Sequence, residues 1–168
     1  VSGGDGVADR AAVPQDVIVA QNGTLRIDGV GGSEWSITVL ADQTPKVQIN
    51  AELTREAQGM MRQPFSASDD YGVVRGSAEF ALDLAAITRR YGLAKAPDPR
   101  GAVVLDLPLP IPGGRTEFTE ELVDNLSEHP WVGLPVIMTL RVEDAARQTG
   151  SSAPKQMLMP GRRFFTPL

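Results

Sequence analysis

The sequence contains no cysteine and a single histidine, and aromatic residues make up only 5% of its 168 positions. Without cysteine the chain cannot form disulfides, use a thiolate nucleophile or hold a metal through sulfur. A zinc site would have to rely on carboxylates around one imidazole, which is uncommon. The scarcity of aromatic residues also argues against a surface that stacks sugars or nucleic-acid bases.

Positive charge and long apolar runs are scarce as well. The chain has 16 basic and 21 acidic residues, a net charge of −5, which argues against a nucleic-acid partner. No apolar run approaches the roughly 18 residues of a membrane span, and no signal sequence is visible. With 42% hydrophobic and 22% charged residues, the composition is typical of a soluble, folded chain.

The first part of the chain predicts a small β element. Residues 1–14 are rich in Gly, Ala and Asp without periodicity and predict a flexible lead-in. In residues 15–44, apolar residues alternate with polar ones in three runs, around Val17, Leu25 and Trp35. Asn22-Gly23 predicts a tight hairpin turn, and residues 29–33 predict the next turn. We therefore expect three strands, either as a small β element or as part of a second sandwich, with Trp35 in the core.

The remainder, residues 45–168, predicts an immunoglobulin-like or fibronectin III-like β-sandwich. Period-two runs occur at 47–53, 60–68, 74–82, 103–109, 136–142 and 155–159. Alternation of this kind puts one side of each strand on a core, and 13 Pro and 17 Gly separate the runs. The expected fold class is all-β, with about seven strands in this domain.

Two segments resist the strand interpretation. Asp83 is a candidate N-cap for a short helix that Gly92 would end. Residues 120–128 contain Leu122 and Leu126 four apart before Pro130, which predicts a helical turn.

Acidic turns are the first candidate site. Asp69 and Asp70 follow one predicted strand, and Asp144 follows a later one, so their hard oxygens could gather to bind Ca²⁺. The competing and stronger interpretation is structural, because Asp before Gly is usual in Asx turns. Ca²⁺ also needs roughly six to eight oxygen ligands, which this spacing does not supply by itself. We expect no metal and no cofactor.

His129 and Trp131 form the second candidate, a possible interaction surface. A lone histidine beside Glu128 could act as a general base, but no Gly-x-Ser-x-Gly motif marks a nucleophile, so a turn histidine is favoured. Trp131 could stack on a sugar or a peptide. A basic segment, read as a solvated loop or a contact for an acidic partner, comprises Arg89, Arg90, Lys95 and Arg100. Nothing predicts an enzyme or a catalytic residue.

Four stretches occur together in this order: FSASDDYGV at 65–73, LSEHPWVGLP at 126–135, LRVEDAARQTG at 140–150 and MPGRRFFTPL at 159–168. Over about residues 35–168 they resemble an alphaproteobacterial family of long proteins, the domain of unknown function 4175. The resemblance implies a membrane-anchored parent protein with an Ig-like or fibronectin-like region on the periplasmic side of the inner membrane. It carries over no catalytic or binding residue. Around Ala145, Ala146 and Arg147 the sequence lacks the glycine that similar domains usually have.

Two functions follow from these observations. The leading hypothesis is a non-catalytic module with a structural role or an unknown protein partner, which exposed edge strands could engage. The alternative is a ligand-binding module for Ca²⁺ or a cell-wall glycan.

Overall fold

A computed structural model of the chain describes residues 16–56, 58–87, 101–111 and 113–162. Contacts divide the chain into two units, Val1–Ala41 and Asp42–Leu168. The predicted lead-in, 1–14, lies outside the described residues, as do Gly92, the predicted helix end, and the four residues of the basic segment.

The first unit contains a two-stranded antiparallel hairpin in its described part. Its strands are β1 (Gly23–Arg26) and β2 (Glu34–Ile37). Residues 29–33 form the predicted turn, where the N–H of Gly32 donates to the carbonyl of Gly29 at 3.0 Å. The prediction of a third strand around Val17 is wrong, because residues 16–20 are not in a strand. Asn22 and Gly23 do not form the predicted hairpin turn, because residues 16–22 contain no strand that could pair with β1; the Oδ1 of Asn22 instead accepts the N–H of Val39 at 2.6 Å.

In its described residues, the second unit has nine strands in two antiparallel sheets. In chain order they are β3 (Lys46–Ile49), β4 (Thr54–Arg55), β5 (Met60–Ser68), β6 (Arg75–Leu82), β7 (Val103–Asp106), β8 (Glu117–Asn125), β9 (Pro135–Glu143), β10 (Thr149–Ser151) and β11 (Lys155–Leu158). In one sheet β5 pairs with β8 along one edge and with β3 and then β4 along the other. In the second sheet β9 pairs with β6, which pairs with β7, while β10 and then β11 follow the other edge of β9.

The two sheets bury their alternating apolar side chains against each other, so the protein is an all-β sandwich, as the sequence predicted. β5 and β9 alternate between buried and half-buried positions along most of their length. Burying both inner faces is the main stabilising contribution, about 25 cal/mol per Å² of apolar surface. The largest fully buried apolar side chains are Trp131, Phe65, Phe80, Met61, Met138, Leu140 and Met159.

Residues 120–128 do not form the predicted helical turn. They belong mostly to β8, which pairs with β5 over nine consecutive positions. A spacing of four places Leu122 and Leu126 on one side of either a helix or a strand, so the pattern alone was ambiguous. At Asp83 the structure has a turn over Leu84–Ala86, and the Asp83 Oδ1 accepts the Ala86 N–H at 3.2 Å.

Candidate functional site

Asp69 closes the turn between β5 and β6. Its Oδ2 accepts the N–H groups of Tyr71 at 3.2 Å and Gly72 at 2.7 Å, which is the Asx-turn role that the sequence favoured. The residue is only 7% exposed, and its Oδ1 is buried without a hydrogen-bond partner. One half of this carboxylate is therefore satisfied by the backbone and the other half is not.

Asp144 closes the turn between β9 and β10 in the same way. Its Oδ1 accepts the N–H of Gln148 at 2.7 Å, while its Oδ2 is buried without a partner and the residue is 2% exposed. Arg147 adopts φ 67°, the left-handed region that glycine occupies without strain. Arg147 therefore occupies a backbone conformation that usually favours glycine.

Asp42 and Asp70 lie near these two turns. Both carboxylates are exposed, and Asp70 accepts the N–H of Gln43 with each oxygen at 3.3 Å. The pKa of Asp42 is raised by partial desolvation and by repulsion from Asp144, Asp70 and Asp69, against a lowering hydrogen bond with Gln148. Asp42, Asp69, Asp70 and Asp144 thus form one group, the acidic cluster. Asp42 was not a candidate from the sequence, because nothing in its surroundings marks it as a ligand.

The acidic cluster is not a ready-made metal site. Among the described residues, no three His, Asp or Glu side chains are placed to hold a metal ion together. Gln148 adds an amide oxygen that accepts from the hydroxyl of Thr44 at 3.1 Å. Any ion bound here would need oxygen ligands besides the carboxylates in their present positions.

His129 and Trp131 form a structural corner between β8 and β9. His129 Nδ1 accepts the backbone N–H of Trp131 at 3.2 Å, and the two rings meet edge to face with centroids 4.9 Å apart. Trp131 is only 2% exposed and belongs to the core, so its prediction as part of an interaction surface, or as a platform for a glycan, is wrong. His129 is half-buried, and a turn histidine describes what it does here.

The other tryptophan behaves in the opposite way. Trp35, expected in a core, is 47% exposed on β2. It lies directly across from Leu25 on β1, and Ile37 falls on the same side of the hairpin, whereas Thr24 and Ser36 face the other side. We call the side formed by Leu25, Trp35 and Ile37 the hairpin face.

A groove of about 750 Å³ runs along the free edge of β3 and past the start of β11. By the pairing with β5, the backbone groups of Val47 and Ile49 point away from the sheet toward this groove. Lys155 spans the groove, because its Nζ donates to the carbonyl of Ala51 and pairs with Glu52, each at 3.1 Å.

A family model described as Domain of unknown function (DUF4175) matches residues 5–168 of the chain. The chain belongs to this family. No curated protein and no solved structure matches the chain significantly. The match covers both units apart from residues 1–4. It includes all four stretches that suggested the resemblance.

Within this DUF4175 chain, the described parts of all four stretches make structural contacts. The stretch around Asp69 and the stretch around Asp144 each tie a turn by a buried carboxylate. The stretch around Trp131 inserts the indole into the core, and the Gly133 N–H donates to the carbonyl of Met159 in the fourth stretch at 3.0 Å. In the part of the chain that is described, no helix has the length and hydropathy to cross a bilayer.

Proposed function

We propose that this DUF4175 chain is a non-catalytic β module with a structural or protein-interaction role in a membrane-anchored bacterial protein, on the periplasmic side of the inner membrane. The observation that carries the interaction role is the exposed hairpin face. Location and anchoring rest on the family resemblance alone.

The first unit, to which the hairpin face belongs, exposes many large apolar side chains. Nine of the large apolar side chains that the described residues expose belong to residues 16–41, among them Ile18, Val30, Trp35 and Leu40. A two-stranded hairpin is marginally stable in water by itself, and contiguous exposed apolar surface is typical of protein-binding sites. A partner that covers Leu25 and Trp35 would supply the second layer that this hairpin needs.

The β3 edge is a weaker candidate for the same role. Strand addition there would use the outward backbone groups of Val47 and Ile49. A partner strand would also have to displace Lys155, which loses both its contact with Ala51 and its ion pair with Glu52. We therefore favour the hairpin face.

The hydrogen bond that His129 makes at the corner fits a non-catalytic role. His129 Nδ1 is engaged by the Trp131 N–H, so this nitrogen is not available to take a proton from a nucleophile without breaking the corner.

Photo-crosslinking tests the proposal. A photoreactive amino acid is placed at position 35, on the hairpin face, or at position 36, on its polar side, and the chain is irradiated with membrane extract of its source bacterium. We expect crosslinks to one partner from position 35 only, and their loss when Leu25→Ser is added. Crosslinks between two copies of the chain would identify the partner as a second copy. Equal labelling from both positions, or crosslinks only within one chain, would contradict the proposal.

A further inference from the structure

Two buried carboxylate oxygens in the acidic cluster have no hydrogen-bond partner. They are Oδ1 of Asp69 and Oδ2 of Asp144, each on a side chain whose other oxygen is held by backbone N–H groups. A buried carboxylate is stable only when a counter-charge or donors satisfy it. Both side chains are fixed in place by their turns, so they cannot rotate toward water without breaking those turns.

No positive charge of the described residues compensates the cluster. None of the ion pairs in the described ranges includes Asp42, Asp69, Asp70 or Asp144. The repulsion is felt at Asp42, whose pKa is raised in part by the other three carboxylates. The cluster therefore concentrates negative charge around two unsatisfied hard oxygens.

We propose that the acidic cluster binds one calcium ion, with the unpartnered oxygens of Asp69 and Asp144 as its fixed ligands and Asp42 and Asp70 as mobile ones. Hard carboxylate, amide and carbonyl oxygens in irregular geometry suit Ca²⁺, whereas Mg²⁺ demands a near-ideal octahedron. This site shares no residue with the hairpin face and does not depend on the interaction role proposed above.

The present side-chain positions set the expected affinity. Because no three carboxylates already converge as ligands, the ion must draw in the exposed side chains of Asp42 and Asp70 and complete its shell with Gln148, carbonyl groups and water. Such a loosely organised site belongs in the range of extracellular modules, with a dissociation constant on the order of 10⁻⁴ to 10⁻³ M. Binding would also hold Gln43 and Asp42 against the two turns.

Calorimetry and NMR titration of the intact chain with CaCl₂ test this inference. We expect saturable binding with the largest amide shifts at Gly72, Arg147 and Gln148, and no saturation with MgCl₂. Asp42→Asn and Asp70→Asn should each weaken binding about tenfold, since fewer charged ligands remain. Asp106→Asn removes one exposed carboxylate from β7 and is the matched control, for which we expect unchanged affinity.

Three results would overturn the inference. The first is the absence of saturable Ca²⁺ binding at 10 mM, roughly ten times the weakest expected dissociation constant. The second is equal amide shifts with NaCl of the same ionic strength, which would indicate screening alone. The third is equal weakening of Ca²⁺ binding by Asp42→Asn and Asp106→Asn. Asp42 and Asp70 are exposed, so both variants should fold, and dispersed amide spectra verify this before titration.

Discussion

Replacing Gly150 with alanine should destabilise the sandwich strongly, because a Cβ atom has no space at this position. Gly150 lies in the middle of β10, opposite Val142 of β9. A Cβ built on Gly150 would overlap the carbonyl oxygen of Pro45 and lie 2.7 Å from its carbonyl carbon. Both atoms are backbone atoms just before β3, so no side-chain rotation can relieve the overlap.

The expected cost follows from what must move. Relief requires the segment before β3 to move away from β10, which would also stretch the 3.1 Å contact between Thr44 and Gln148. Overpacking a well-packed site costs about 1–3 kcal/mol and occasionally more. Because the obstacle is backbone, we expect about 3 kcal/mol, which corresponds to a melting temperature lower by roughly 10 °C in a domain of this size.

Urea unfolding of the wild type and the variant measures this difference. Gly101→Ala is the matched control, because a Cβ at Gly101 meets no atom within 4 Å and its φ is not positive. The control should differ from the wild type by less than about 0.5 kcal/mol. If Gly150→Ala is equally harmless, the segment before β3 is not held against β10, and the placement of Asp42 beside Asp144 loses its support.

Three further substitutions have defined outcomes. Asp42→Asn should raise the melting temperature at pH 7, because the raised pKa of Asp42 in the fold means that its deprotonated carboxyl opposes folding. The gain in melting temperature should shrink as the pH falls through that pKa and disappear below the ordinary value of 3.8. A pH-independent difference in melting curves would contradict this. Arg147→Gly should add roughly 0.5–1 kcal/mol in urea unfolding, because relief of left-handed strain, about 1–2 kcal/mol, exceeds the entropy cost of glycine. A destabilised variant would argue against that strain. Ser152→Ala should cost about 1–3 kcal/mol by leaving the buried Leu140 N–H, now 3.0 Å from the Ser152 Oγ, without an acceptor. Ser151→Ala, at an exposed neighbour, should change the unfolding free energy little.

The all-β fold and most of the sandwich strands were predictable from the sequence. Apolar and polar residues alternate along β5, β6 and β9, and only a face-to-face sheet arrangement removes such a side from water. The Asx role of Asp69 was also predictable, because the side-chain oxygen bonds backbone groups only two and three residues away. Short-range interactions of this kind depend on little besides the local sequence.

Features that depend on distant parts of the chain were not predictable. Trp35 alternates with polar residues in a strand pattern and Trp131 stands in a turn sequence between Pro130 and Val132, yet Trp131 is buried and Trp35 is exposed. Periodicity specifies which side of a strand is apolar, whereas burial depends on whether another layer covers that side. β3 and β4 are separate strands that pair with the same edge of β5, and β10 and β11 are separate strands that pair with the same edge of β9. These interruptions likewise depend on the neighbouring strand and not on the local sequence.

The sequence by itself therefore determined the class of fold and the local turns of this DUF4175 chain, since both arise from residues that are neighbours or alternate along one strand. Only the tertiary structure decided that β8 is a strand and that Asp42 joins Asp69 and Asp144. Asp42 lies more than twenty residues before one turn and a hundred before the other, so only the packing of the strands brings these charges together.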